Sequence, residues 1–339
     1  MSERGDKLSD YLYHLPAERI AQRGIEPRDH SKLLVLQRTS GAVKHRHFYD
    51  LPEHLRPGDL LVFNETRVIP ARLRARKESG ARVEVLLVRR QGPAFWWAMV
   101  KPGRRLKEGA RLLLGNLRAT VIRINDEGLR LLEFSEPLQP HLHTLGETPL
   151  PPYIHEPVEE RRYQTVYARR DGSVAAPTAG LHFTEELLEK IAAMGVETAR
   201  LVLHVGPGTF QPVKGSIEQH RMHAEVYHVP WQTAAAVNRA LQEGRRVVAV
   251  GTTVVRTLES AYSPKLGLKE GAGETRLFIR PPFRFAVVGA LITNFHLPGS
   301  TLLMLVAAFA GYRQTMAAYE EALAHDYRFF SLGDAMLIE

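Results

Sequence analysis

The sequence contains no cysteine among its 339 residues. This absence excludes disulfides, thiolate nucleophiles, Cys-ligated zinc and iron–sulfur clusters. Radical chemistry that starts from a Cys-held cluster is excluded with them. A metal held by histidine and carboxylate groups stays open at this point, because the chain carries 15 His.

Long apolar runs are also missing. The longest, Thr301 to Ala310, is roughly half of the ~18 residues that a membrane helix needs. The first residues, Met1 to Asp10, are polar and lack the apolar core of a signal peptide. We therefore expect a cytoplasmic protein with no membrane partner.

The net charge of +8 and the pI of about 9.7 favour a polyanionic partner. The charge is concentrated between Ala71 and Leu150, where 15 Lys and Arg stand against 8 Asp and Glu. A solvated basic face with no partner is the alternative interpretation.

The order of predicted elements indicates two domains. Five short segments are predicted to be strands in which apolar and polar residues alternate, and Gly-containing turns separate them: 82–88, 94–100, 111–114, 117–125 and 129–134. This pattern is typical of a small β-barrel. From Tyr153 onward, strands and helices alternate, which implies a mainly parallel sheet covered by helices. We predict an α/β fold: a mainly parallel sheet domain flanked by helices (1–70 and 155–339) with an inserted small all-β barrel domain that is basic (71–154).

Polar, Gly-rich segments follow the predicted strands or lead into helices. In parallel α/β folds, ligands bind outside the carboxyl ends of the strands, so these loops could form one site, although each loop alone is more typical of turn chemistry. The segments are Phe63–Arg67, Pro177–Thr184, His204–Phe210, Gly251–Arg256 and Thr293–Ser300.

Several side chains in these loops suit a charged ligand. Thr252 and Thr253, at a predicted helix start where either could be the N-cap, expose hydroxyl and N–H groups to a carboxylate or phosphate. Arg67 and Arg256 could clamp such a group, or could form ordinary ion pairs. Asn64 and Glu65 could receive an ammonium group, and Gly206 and Gly208 permit close backbone approach.

His182, His204 and His296 all lie in these loops, and any of them could be a general base near neutral pH. A hydrogen-bonded structural histidine is the alternative for each. The spacing of His220, His223 and His228 does not match a helical zinc motif, so we expect no metal site there.

Ordered sequence blocks along nearly the whole chain resemble the S-adenosylmethionine:tRNA ribosyltransferase-isomerase family of queuosine biosynthesis. The blocks are Ile20–Arg23, Pro27–Leu36, Asn64–Arg72, Tyr163–Tyr167, Ala175–Thr184, His204–Phe210, Gly251–Arg256, Thr293–Leu302 and Tyr327–Met336. Gly24-Ile25 departs from the family, where a proline more often follows the Ile-Ala-Gln stretch.

The resemblance implies that S-adenosylmethionine is consumed as a ribosyl donor and that no cofactor is needed. The acceptor would be the aminomethyl group of a modified 7-deazaguanine at the wobble position of a tRNA with a GUN anticodon. Epoxyqueuosine in tRNA, adenine and methionine would be the products, and the family implies a monomer.

In this interpretation the loops supply two sets of residues. We expect catalytic groups among His182, His204, His296 and Glu65. We expect substrate-binding groups at Asn64, Arg67, Thr178, Gly180, Gly206, Gly208, Thr209, Thr252, Thr253, Arg256 and Asn294.

Two other functions remain open from the residues alone. A metal-dependent hydrolase that uses histidine and carboxylate ligands would contain stoichiometric metal. A noncatalytic RNA-binding protein would show salt-sensitive RNA affinity without a cluster of His, Arg and Thr at the strand ends.

Overall fold

A computed structural model describes residues 5–104, 106–206, 213 and 215–339. The described strands, in chain order, are β1 (Lys32–Leu36), β2 (Val43–His47), β3 (Leu60–Asn64), β4 (Thr66–Val68), β5 (Arg72–Lys77), β6 (Arg82–Arg90), β7 (Phe95–Lys101), β8 (Arg111–Leu114), β9 (Leu117–Ile124), β10 (Arg130–Phe134), β11 (Gly146–Glu147), β12 (Arg170–Ser173), β13 (Glu197–Leu203), β14 (Glu225–Val229), β15 (Val247–Val250), β16 (Tyr262–Ser263), β17 (Gly267–Leu268), β18 (Gly271–Thr275), β19 (Ala290–Asn294) and β20 (Ala335–Ile338). The described α-helices are α1 (Leu142–Leu145), α2 (Glu185–Ala193), α3 (Trp231–Gln242), α4 (Thr252–Ala261), α5 (Thr301–Ala310) and α6 (Tyr312–Ala324).

The chain forms two compact units. The first contains the described residues up to Thr66 together with Pro152–Arg169 and Ala176–Glu339. The second contains Arg67–Pro151 and Arg170–Ala175. Residues 170–175, which lie outside the predicted range 71–154, belong to the second unit, where the Ser173 carbonyl accepts a hydrogen bond from the Ile69 N–H group at 3.0 Å.

The second unit contains the predicted all-β barrel. Six strands pair in the order β5-β6-β7-β10-β9-β8. An antiparallel pairing of β5 with β8 closes the barrel. Alternate residues of each strand point inward, as Val83, Val85 and Leu87 of β6 do. This alternation is the pattern that identified the barrel from sequence.

The first unit is built on a nine-stranded sheet in the order β18-β14-β13-β3-β15-β19-β20-β1-β2. The neighbours β13, β3, β15 and β19 are parallel to one another. Strand β20 is antiparallel to β19 and parallel to β1. Strand β14 pairs antiparallel with both β13 and β18, and β2 pairs antiparallel with β1. The sheet is therefore mixed, and the prediction of a mainly parallel sheet holds only for its centre.

Both faces of this sheet are covered. In β3, Leu60 and Val62 face a core shared with α3, α4, α5 and α6, whereas Leu61 and Phe63 face a second core shared with α2. Successive residues of a strand point to opposite faces, so a central strand buried on both sides needs the continuous apolar run seen here.

Helix starts next to the sheet have defined caps. The Thr184 hydroxyl accepts from the Leu187 N–H group at 3.1 Å, and the Ser300 hydroxyl accepts from the Leu303 N–H group at 3.2 Å. The prediction that Thr252 or Thr253 caps α4 is wrong. The N-cap is Gly251, whose φ of 95° is strained for any residue with a Cβ atom, so both threonines fall in the first turn of the helix.

No helix of the described ranges has the length and apolar character needed to cross a membrane.

Candidate functional site

A pocket lies at the carboxyl ends of the central parallel strands. It receives residues that follow β13, β15 and β19, together with the first turns of α4 and α5. This is where open α/β sheets bind ligands, because loops and helix N-termini converge there. Its lining consists of Tyr153, Ala176, Pro177, Thr178, Ala179, Val205, Gly251, Thr252, Thr253, Thr293, Asn294, Phe295, His296, Leu297, Ser300, Leu302, Phe330 and Ser331.

Thr252 and Thr253 line this pocket at the start of α4, and their role in substrate binding stays a prediction. Asn64 approaches them from the end of β3, where its Nδ2 donates to the Thr253 hydroxyl at 3.3 Å and to the Leu203 carbonyl at 2.9 Å. Its Oδ1 accepts from the N–H groups of Thr66 and Leu203. Asn64 therefore ties the ends of β3 and β13 to the first turn of α4.

His182 does not line the pocket but supports a residue that does. Its Nε2 lies 3.1 Å from Asn294 Nδ2, and its Nδ1 lies 2.7 Å from the Ser31 hydroxyl. Burial lowers the pKa of His182 from 6.5 to about 3, so the ring is neutral at pH 7. Both ring nitrogens are engaged within the protein. His182 is therefore placed to orient Asn294, and its role in proton transfer stays a prediction.

His296 lines the pocket, and its Nε2 lies 2.9 Å from the Thr293 hydroxyl. The Tyr13 hydroxyl donates to the His296 carbonyl at 2.5 Å, which fixes the backbone. Burial lowers the pKa of His296 from 6.5 to about 3, so this ring is also neutral at pH 7. His296 can offer hydrogen bonds to a ligand, but it is a weak base for proton removal.

His204 follows β13 and is partly exposed. Its Nδ1 lies 2.9 Å from the hydroxyl of the fully buried Thr66, which fixes the orientation of the ring. Of the three predicted histidines, His204 is the one whose ring is both oriented by a hydrogen bond and accessible to solvent, as a general base requires.

Arg256 forms a buried ion pair with Glu225, whose other carboxylate oxygen accepts from the Gly206 N–H group at 3.2 Å. Arg256 Nε donates to the Leu277 carbonyl at 3.1 Å. The pair joins α4 and β14 to the loop after β13, so Arg256 and Gly206 share one network. Neither residue lines the pocket, and binding of a substrate carboxylate by Arg256 stays a prediction.

The remaining predicted residues occupy different places. Thr178 lines the pocket. Gly180 does not, since a Cβ atom there would lie 1.9 Å from the Tyr167 hydroxyl, so its small size serves packing. Arg67 belongs to the second unit and pairs with Asp171 at 3.8 Å. Glu65 is buried, and a catalytic role for its carboxylate stays a prediction.

Gly208 and Thr209 lie outside the described residues.

Tyr153, Phe330 and Ser331 line the pocket but lie outside the five loop segments from which the site residues were predicted. The Tyr153 and Phe330 rings lie with their centroids 4.1 Å apart, and the Tyr153 and Ser331 hydroxyls form a hydrogen bond. Phe330 adopts a φ of 77°, a strained conformation for an aromatic residue that is common at functional sites. The block Tyr327–Met336 was the sequence signal that could have identified two of them.

The described lining of the pocket carries no formal charge at neutral pH. It contains no Asp, Glu, Lys or Arg, His296 is neutral, and burial raises the pKa of Tyr153 well above its ordinary value. Neutral hydrogen-bonding groups and apolar walls favour a neutral, partly apolar part of a ligand.

The buried neutral histidines predict a pH dependence of stability. Between the ordinary pKa of 6.5 and the folded-state pKa of about 3, the unfolded chain binds a proton at His182 that the folded chain does not. The free energy of unfolding should therefore be highest above pH 6.5 and fall as the pH is lowered through this window. The slope is at most about 1.4 kcal/mol per pH unit for each such histidine.

His182→Gln should make this slope shallower between pH 6.5 and 5, measured by urea unfolding at several pH values. His228→Gln is the control, because His228 is exposed on β14. Equal slopes in the wild type and His182→Gln would show that His182 is not held neutral in the folded protein.

Comparison with known proteins places the chain among tRNA-modifying enzymes. The family model described as "Queuosine biosynthesis protein" matches residues 8–338. A Thermus thermophilus protein named S-adenosylmethionine:tRNA ribosyltransferase-isomerase is 60% identical, and the alignment covers 98% of this chain and 99% of the relative. A Symbiobacterium thermophilum protein of the same name is 55% identical with the same coverage.

A solved structure has a similar fold. The crystal structure of S-adenosylmethionine tRNA ribosyltransferase from Thermotoga maritima is 42% identical in sequence and aligns with a TM-score of 0.58. The alignment covers 97% of this chain and 100% of that one.

Proposed function

The chain belongs to the queuosine biosynthesis protein family, and from this premise we propose that it transfers and isomerises the ribosyl moiety of S-adenosylmethionine onto a tRNA base. The acceptor is the 7-aminomethyl-7-deazaguanine at the wobble position, and the products are epoxyqueuosine-tRNA, adenine and methionine. S-adenosylmethionine is consumed as a substrate, and no resident cofactor takes part in the proposal.

The observation that carries the proposal is the pocket at the ends of the parallel strands β13, β15 and β19, in a chain that matches its relatives over nearly their whole length. The first turn of α4 presents Thr252 and Thr253 there, whose hydroxyl groups are neutral hydrogen-bonding partners for a substrate.

The reaction needs at least two proton transfers. The positive sulfonium acidifies the C5′ hydrogens of the ribose, so a base can remove one. Adenine leaves as the sugar rearranges and must gain a proton. In the net reaction the C1′–N bond to adenine and the C5′–S bond to methionine break, the acceptor amine loses a proton and forms a C–N bond to the rearranged sugar, and one proton is released overall.

We assign the first proton transfer to His204. Thr66 fixes its ring at 2.9 Å, and neither His182 nor His296, each with a pKa near 3, is a strong enough base at neutral pH. His296 lines the pocket as a neutral hydrogen-bond partner for the substrate.

The proposed partner is a tRNA with a GUN anticodon, because the modified base replaces the guanine of the wobble position. The excess of basic residues between Ala71 and Leu150 is the electrostatic feature that supports RNA binding. We further propose that the protein acts as a monomer in the cytoplasm.

The metal-dependent hydrolase alternative is not favoured. A catalytic metal site needs several histidine or carboxylate ligands, and the described lining of the pocket offers one histidine and no carboxylate. The noncatalytic RNA-binding alternative does not account for the Thr, Asn and His side chains that line a pocket at the strand ends.

Incubation with S-adenosylmethionine and tRNA that carries the aminomethyl-deazaguanine tests the proposed function. We expect release of adenine and methionine in equal amounts, dependent on the modified tRNA, with no methylated product. Unmodified tRNA is the control. Methyl transfer, or no adenine release, would contradict the proposal.

A further inference from the structure

We propose that the pocket at the strand ends holds the adenine of S-adenosylmethionine, with Asn294 Oδ1 accepting a hydrogen bond from the 6-amino group. The inference rests on the proposed function for the identity of the ligand. It adds a specificity-determining residue and a location for the base.

The orientation of the Asn294 amide is fixed by its neighbours. Its Nδ2 donates to the Phe330 carbonyl at 3.2 Å, and a carbonyl can only accept. The reversed amide would place two acceptor oxygens against each other. Its second amide hydrogen points to His182 Nε2 at 3.1 Å, so the nitrogen is satisfied and Oδ1 is the free end of the side chain.

Asn294 Oδ1 is buried and receives no hydrogen bond from the described residues. Asn294 itself is 2% exposed and lines the pocket. An unsatisfied buried acceptor destabilises the protein, and such atoms are rare in folded proteins. A ligand that supplies a donor at this position removes that cost.

His182 sets the hydrogen-bonding direction. Because its Nε2 accepts from Asn294, the ring proton lies on Nδ1 and is donated to the Ser31 hydroxyl at 2.7 Å. Burial keeps the ring neutral, so the tautomer persists at neutral pH. His182 is therefore a positioning residue that acts through Asn294.

The surroundings of Asn294 favour a neutral, planar group. The sulfonium, ammonium and carboxylate of the substrate are all charged, whereas the described lining residues are neutral. Adenine is neutral, and the rings of Tyr153 and Phe330 provide an aromatic wall for it. Of the parts of S-adenosylmethionine, the base matches the pocket best.

An exocyclic amino group could also come from the deazaguanine of the tRNA. That base carries a cationic aminomethyl group, and the pocket lining contains no carboxylate to pair with it. The structure therefore favours adenine, and the two sources are separated by experiment.

The test compares S-adenosylhomocysteine with S-inosylhomocysteine, whose 6-oxo group accepts where the amino group donates. We expect the wild type to bind the adenosyl ligand about 10- to 100-fold more tightly by calorimetry. Asn294→Ala and Asn294→Leu should reduce this preference to near one. Asn238→Ala is the matched control, since both amide atoms of Asn238 bond to Leu268 on another part of the unit.

A second pair of variants tests the positioning role. His182→Ala should reduce the ligand preference, and His182→Gln, whose side-chain carbonyl can still accept from Asn294, should retain more of it. A role in stability alone would lower the melting temperature without changing the preference.

The outcomes separate this inference from the proposed function. If the wild type does not prefer S-adenosylhomocysteine over S-inosylhomocysteine, the inference is overturned without any variant. An unchanged preference in folded Asn294 variants also overturns it. Loss of affinity for a modified anticodon-arm RNA in Asn294→Ala, with ligand preference intact, would assign the pocket to the deazaguanine instead. Release of adenine by the wild type, assayed in parallel, supports the proposed function whichever of these results is found.

Discussion

Replacement of His204 by alanine is expected to lower kcat for adenine release by about 10²- to 10⁴-fold, the usual contribution of a general base. Its ring follows β13 and is oriented by the Thr66 hydroxyl at 2.9 Å. Because the base acts in the proton-transfer step, KM for S-adenosylmethionine should change little. Steady-state kinetics with modified tRNA measures both constants.

His228→Ala is the control for this prediction, since His228 is an exposed histidine of β14, the strand that pairs with β13. Thr66→Val should give a smaller loss of kcat than His204→Ala, because it removes only the partner that orients the ring. A near-normal kcat for folded His204→Ala would exclude His204 as the base.

Replacement of Glu225 by alanine is expected to lower the free energy of unfolding by about 3–5 kcal/mol, because it leaves the Arg256 guanidinium buried without its partner. The two side chains are 6% and 5% exposed. Denaturant unfolding followed by circular dichroism measures the loss. The variant should also weaken substrate turnover, since Glu225 holds the Gly206 N–H group at 3.2 Å.

Glu156→Ala provides the matched control. Glu156 pairs with Arg23, but the two side chains are 43% and 76% exposed, and exposed ion pairs contribute about 0–1 kcal/mol. If Glu225→Ala destabilised the protein no more than Glu156→Ala does, the Glu225–Arg256 pair would not hold this part of the unit together.

Helix starts and barrel strands could be predicted from the sequence, because each is determined by a few neighbouring residues. Thr184 and Ser300 each precede an apolar helical pattern, and both hydroxyls cap the helix that follows. The barrel strands were predictable because alternation of apolar and polar residues needs no knowledge of distant partners.

The mixed character of the large sheet could not be predicted in this way. Strand β20 inserts between β19 and β1, antiparallel to one and parallel to the other. Its neighbours are fixed by packing among residues far apart in sequence, and Ala335–Ile338 is too short to carry a strong local pattern. The same holds for β18, whose five residues include two glycines.

For the site, too, the positions of residues in loops could be predicted from local sequence, whereas contacts between distant residues could not. Five residues that were expected at strand ends all line one pocket: Thr178, Thr252, Thr253, Asn294 and His296. The role of His182 depends on Ser31 and Asn294, which lie 151 and 112 residues away in the chain. A sequence pattern indicates that a histidine lies in a loop, but only the fold determines what its ring nitrogens contact.

A crystal structure of the protein with S-adenosylhomocysteine tests the central claim most directly. We predict that the nucleoside occupies the pocket between Thr178, Thr252 and Asn294, with a ligand donor within about 3 Å of Asn294 Oδ1. A nucleoside bound outside this pocket, with Asn294 Oδ1 still unpaired, would contradict the account.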